Sequence, residues 1–148
     1  WYIPVSITYL SNTEQRLDAR WNGLLGIGKF AIHTNRVYWG FATGASFNSE
    51  RYSTLNEPIT HTQSLEGYFG TELNLFDIGD LSLSTKAKAY PSFTESGRWR
   101  ADFNFETKYD LPLDFYIKMN VSLDYDNQPV AGASELDYVL HTGFGWEW

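Results

Sequence analysis

Every second residue is apolar through most of this chain. Near the C-terminal end Leu136, Tyr138, Leu140, Thr142, Phe144 and Trp146 alternate with Asp137, Val139, His141, Gly143 and Gly145. Upstream, Phe115, Ile117, Met119, Val121, Leu123 and Tyr125 interleave with Tyr116, Lys118, Asn120, Ser122 and Asp124. Trp99 to Tyr109, Leu81 to Ala89, Leu65 to Leu75, Trp39 to Phe47, Leu17 to Ile27 and Trp1 to Tyr9 repeat the pattern. Successive strand side chains point to opposite faces, so each segment reads as a strand with one apolar and one polar face. The pattern recurs about eight times, which predicts long antiparallel strands, and no helical period competes with it.

The links carry a second regularity. Asp110–Asp114, Phe76–Asp80 and His33–Arg36 are predicted to be short, whereas Asn127–Ser134, Thr94–Gly97, Ser49–His61 and Ser11–Gln15 are longer or more polar. Alternating short and long links are a property of outer-membrane barrels, with tight periplasmic turns and longer outer loops. The last strand runs on into Trp146-Glu147-Trp148. In this it resembles the closing strand of a bacterial outer-membrane barrel, whose terminal aromatic helps present it to the barrel-insertion machinery. With Trp148 on the periplasmic side, every link falls on the side its length predicts.

Alternation alone leaves open which face points inward. A lipocalin-like soluble barrel turns its apolar face in, and a membrane barrel turns it out. An eight-stranded barrel has an interior just wide enough for side chains to fill, too narrow for the roughly forty apolar side chains counted here. A soluble β-sandwich holds more of them. Aromatics gather near the ends of the apolar runs, at Trp99 and Tyr109, Phe115 and Tyr125, and Trp146 and Trp148. That placement fits two membrane-interface belts. The polar face mixes signs: Lys86, Lys88, Arg100, Lys108 and Lys118 stand with Glu66, Glu72, Asp102, Glu106 and Asp124, and His141 lies on the same face. Charges out of water need partners, and a lumen of mixed sign provides them. The expectation is an all-β, antiparallel up-and-down transmembrane β-barrel in which residues 1–148 are a single domain.

Composition narrows the classes further. Aromatic residues make up 18% of the chain, which suits sheets and interfacial girdles. Mean hydropathy is -0.37, and no apolar run reaches the roughly 20 residues of a membrane helix, a test that barrel strands evade because half of each strand is polar. A net charge of -7 argues against nucleic acid as a partner. The absence of cysteine excludes disulfides, thiolate zinc sites and a cysteine nucleophile. The chain opens inside a strand with no signal peptide, as a mature, trimmed or partial chain does.

With these residues in view, the chain resembles the domain of unknown function 481 family, also called salt-induced outer-membrane protein-like. The stretches that carry the likeness are Leu10-Ser-Asn-Thr-Glu-Gln15, Gly26-Ile-Gly28, Ala89-Tyr-Pro-Ser92 with Gly97-Arg-Trp-Arg100, Tyr125-Asp-Asn-Gln-Pro129, Asp137-Tyr138 and Gly143-Phe-Gly-Trp146. None is a catalytic motif; their order across nearly the whole chain makes the match. The resemblance implies an outer-membrane β-barrel with no established biochemical activity. It also implies further strands before Trp1, so these eight are expected either to close alone or to form the C-terminal portion of a larger barrel.

Candidate chemistry is sparse. His33 falls in a short turn, His61 in a long link and His141 mid-strand on the polar face. Ser122, with Asp124 or Asp137, is the one nucleophile–acid set that could approach His141 as a triad needs; a histidine held in a lumenal polar network is the simpler reading. Paired carboxylates such as Asp102 with Glu106 read as counterions to the lysines and arginines rather than as an acid–base pair. Asp124-Tyr-Asp126-Asn127 lacks the glycine and terminal glutamate of a calcium loop. Gly26-Ile-Gly28 is followed by neither a helix nor a P-loop lysine.

The sequence therefore predicts an outer-membrane barrel of structural or weakly pore-forming role, without catalytic activity, metal or cofactor. Its expected partners are outer-membrane lipid, the insertion machinery during biogenesis and other outer-membrane proteins or lipoproteins. The alternatives are a barrel component of a multi-protein outer-membrane complex, a soluble lipid-binding β-barrel and an outer-membrane hydrolase.

Overall fold

A computed structural model of the chain describes residues 1–12, 17–54, 57–129 and 134–147. Trp148 and parts of the links at Ser11–Gln15 and Asn127–Ser134 lie outside the described residues, as does the side chain of His61. Eight strands occupy most of the chain: β1 (Val5–Asn12), β2 (Leu17–His33), β3 (Val37–Thr54), β4 (Glu57–Ile78), β5 (Leu81–Pro91), β6 (Trp99–Asp110), β7 (Phe115–Asp126) and β8 (Leu136–Trp146). They form one antiparallel sheet in sequential order. Tight links enforce that order. Gly79, with φ of +67°, turns β4 into β5; glycine takes this left-handed conformation without steric cost. Thr34 closes the β2–β3 turn, its hydroxyl donating to the Val37 carbonyl at 3.1 Å and accepting from the Val37 N–H at 2.9 Å.

One predicted link is instead strand. Residues 49–54 and 57–61 continue the β3–β4 ladder, with Ser49 opposite Gln63, Arg51 opposite His61 and Thr54 opposite Glu57, while 55 and 56 lie outside the described residues. Hydrophobic alternation detects a strand only where one face is apolar. The ladder itself is made by backbone groups and runs on through polar residues.

The two faces of the sheet are inverted relative to a water-soluble domain. On the inner face Ser46, Asn48, Ser64, Glu66 and Asn74 are buried, and Glu66 is 1% exposed. On the outer face Ile7, Phe69 and Tyr138 are 76%, 57% and 70% exposed. Of apolar side chains on the inner side, Ala42, Tyr68 and Tyr90 make a small buried cluster against which Tyr2 and Leu24 pack. The Tyr2 ring lies so close over Gly28 that a Cβ there would collide with it, and Tyr2 stacks on Phe30 with ring centroids 4.6 Å apart. The sheet curls strongly: Ser6 of β1 and Arg100 and Asp102 of β6 line one cavity of about 350 Å³. It stays open, because β1 and β8 form its two edges and do not pair with each other. Both faces of β8 are almost wholly exposed.

Candidate functional site

Parity along the strands assigns the polar residues to one face, and the register decides which of them meet. At the centre is Glu66 of β4. Arg100, two strands away on β6, grips it with both ends of its guanidinium, Nε donating to Oε1 at 3.1 Å and Nη2 to Oε2 at 2.5 Å. Asn48 Nδ2 donates to the same carboxylate at 2.9 Å, and Asn22 in turn donates to Asn48 Oδ1 and to Ser46 Oγ. Arg100 also lies over the Tyr90 ring, 5.3 Å from its centroid. A fork of donors on one carboxylate is the strong form of charge pairing, and here it leaves the buried Glu66 fully engaged.

The other predicted polar residues divide by position. Lys86 meets Glu72 at 3.1 Å. Lys108 reaches Asp110 at 3.0 Å and Glu147 at 2.9 Å. Lys118 stands opposite Lys108, and both ammonium groups sit over the Tyr116 ring, at 4.9 and 4.7 Å. Like charges directly opposed are unfavourable; the Lys108 carboxylate partners and the shared ring offset that. Lys88 is opposite Asp102, which is opposite Asp124, which is opposite Asp137. Glu106 lies between Ser84 and Asn120 and borders a second, polar cavity of about 400 Å³ with Lys86, Asp102 and Asp124.

The residues weighed as a triad lie on the neighbouring strands β7 and β8. The residue opposite His141 is Asn120, and Ser122 is opposite Val139. The Ser122 hydroxyl accepts from Asn104 Nδ2 at 2.7 Å and donates to Asn120 Oδ1 at 3.5 Å. The carboxylate of Asp126 is held by Arg98, which also reaches Glu95. Among the described residues, no group of three histidine or carboxylate side chains is placed to hold a metal ion.

Aromatic side chains cluster at both ends of the outer face. Trp99 packs on Tyr125 at 4.7 Å, and Tyr9 on Trp21 at 4.8 Å. At the opposite ends of the strands Phe115 stacks on Phe144 at 5.3 Å and meets Trp146 at 6.5 Å. There Trp39 packs on Phe41 at 4.9 Å, and Tyr109 is exposed. Sequence reasoning named Glu66 and Arg100 but missed Asn22, Ser46 and Asn48, uncharged residues whose only signal was inward parity. Arg98, in phase with the polar face, was not named among the network residues; it lies just before β6, and its partners Glu95 and Asp126 come from the link and from the end of β7.

The family described as "Protein of unknown function, DUF481" matches residues 1–148. The chain belongs to this family. No curated protein and no solved structure matches the chain significantly.

Proposed function

We propose that this member of the family is an integral protein of the bacterial outer membrane. Its sheet is completed into a β-barrel with the apolar face against lipid and a salt-bridged polar lumen. The role is structural or weakly pore-forming, without a catalytic centre. The observation that carries this reading is the inverted burial, with Glu66 inside and Ile7, Phe69 and Tyr138 outside. Exposing that much apolar surface to water is unfavourable at about 25 cal/mol per Å², and lipid removes the cost. A soluble lipid-binding barrel requires the reverse arrangement.

Strand length supports the same reading. β5, β6, β7 and β8 have 11, 12, 12 and 11 residues, against the roughly 9–11 of a tilted transmembrane strand. The outer aromatic clusters stand at the levels where interface girdles belong. With the β8 end periplasmic, the tight turns after His33, Ile78 and Asp110 face the periplasm.

The unpaired edges of β1 and β8 favour a second reading, in which strands from elsewhere, in this protein or a partner, complete the wall. A sheet edge in hydrocarbon leaves N–H and C=O groups without partners, each costing several kcal/mol, so closure of some kind is required. Extraction tests the main reading. Membranes carrying the protein are washed with urea or alkaline carbonate and then partitioned with detergent. The protein is expected in the pellet and then in the detergent phase; recovery in the aqueous phase overturns the proposal.

A further inference from the structure

The outer face carries one interruption in its bulk. Ile27, Thr43, Phe69 and Ala89 lie opposite one another across β2–β5, and beside them run Lys29, Phe41, Thr71 and Ala87. The first row alternates large and small residues, and in the second the bulk of Lys29 and Phe41 gives way to Thr71 and Ala87. Thr43, Thr71, Ala87 and Ala89 thereby form the floor of a shallow groove walled by Ile27, Phe41, Phe69 and Trp1, with a volume of about 660 Å³. That falls within the about 300–1,000 Å³ typical of ligand sites. The lining is overwhelmingly apolar.

Lys29 borders this groove. It stands directly opposite Phe41 of the Trp39–Phe41 pair, and among the described residues it is the charged side chain of a stretch of outer face otherwise made of apolar residues, threonine and glycine. Its ammonium lies over the Trp1 ring, 5.6 Å from the centroid. Among the described residues no carboxylate is within ion-pair distance of it. A cation on a lipid-facing strand is unfavourable in the middle of the bilayer and tolerated toward the interface. Its stem can lie along apolar surface while the charged end reaches the headgroups. Lys29 stands near the β2–β3 turn, on the side assigned to the periplasm.

We infer that this groove binds one anionic phospholipid, an acyl chain lying over Thr43, Thr71 and Ala87 and the headgroup phosphate meeting Lys29. Charge complementarity selects the occupant: an apolar trough with the Lys29 ammonium on its outer-face edge, without an ion-pair partner among the described residues, fits a molecule with an apolar tail and one anionic head. Trp1 holds the ammonium in place and walls the same trough. The inference rests on the lipid-facing reading of this surface.

The test uses the full chain reconstituted in vesicles of phosphatidylcholine with one-fifth phosphatidylglycerol, extracted in mild detergent and weighed by native mass spectrometry. One retained phosphatidylglycerol per protein is expected, in preference to the more abundant phosphatidylcholine. Lys29→Gln is expected to reduce that retention about tenfold, the equivalent of about 1.4 kcal/mol, and Lys29→Arg to preserve it. Ala87→Phe, which fills the trough, is expected to abolish retention of both lipids at this site. Equal retention of the two lipids by the parent protein, or no change in Lys29→Gln, overturns the inference while leaving the membrane reading intact. A protein that does not integrate into the vesicles overturns both.

Discussion

Among single residues, the most informative is the one a soluble protein would avoid burying. Glu66 is buried because Arg100 and Asn48 surround its carboxylate with donors. Removing one partner of such a pair leaves a charge with neither water nor counterion, at a cost of about 3–5 kcal/mol, whereas replacing both with apolar residues is often neutral. Arg100→Ala is therefore expected to lower stability by about that amount, read as a fall in the urea midpoint of tryptophan fluorescence for the refolded protein in detergent. Arg100→Met combined with Glu66→Leu should recover most of the loss. A single variant as stable as the parent would mean that the pair holds nothing together. Both residues were legible as inward-facing from parity. Their contact was not, because it spans from β4 to β6 and depends on how sharply the sheet curls.

Among the elements, the strands after the short β1, which has 8 residues, divide into two sets. β5–β8 are near the length of a membrane crossing, while β2, β3 and β4 have 17, 18 and 22 residues and extend well beyond it. The extension on the β3–β4 side is polar, so the alternation that marks the other strands stops short and the sequence reads it as a link. The link between β5 and β6 is ordered by Arg98. This side chain joins Glu95 at 2.5 Å and Asp126 at 2.7 Å, tying the link to the end of β7. Hydrogen bonding to the Asp126 carboxylate raises the Arg98 pKa, against the opposing effect of burial, so the guanidinium stays charged. Charge-assisted bonds of this kind contribute about 1.5–3 kcal/mol each. Arg98→Gln is expected to speed amide exchange across residues 92–98 by at least about tenfold, with the β6–β7 ladder unchanged. Uniform loss of protection across the sheet would refute a local role.

For the whole molecule, the decisive quantity is the number of strands in the closed wall that the proposed barrel requires. An eight-stranded barrel has an interior that side chains fill, and the inner face here already supplies Glu66, Arg100, Tyr68 and Tyr90 toward that end. Residues 1–148 reconstituted in planar bilayers are therefore expected to show no discrete conductance steps. Stable steps would point to a wall completed by further strands, and with a net charge of -7 such a pore should prefer cations. The open edges of β1 and β8 make this measurement more informative than any point substitution.

The chain's own order of residues determined the strand count, the sequential up-and-down arrangement and the separation of an apolar from a polar face, because period-2 alternation and short links are local properties. Phe115, Ile117 and Met119 declare their face without reference to any distant residue. Only the tertiary structure decided that the polar face is the buried one, since alternation is the same whichever way a sheet curls. It also brought Glu66 to Arg100, placed Asn120 rather than Ser122 opposite His141, and set small residues side by side beneath Trp1 and Lys29. Each of these depends on register between strands far apart in sequence, and register is set jointly by all the turns and bulges between them.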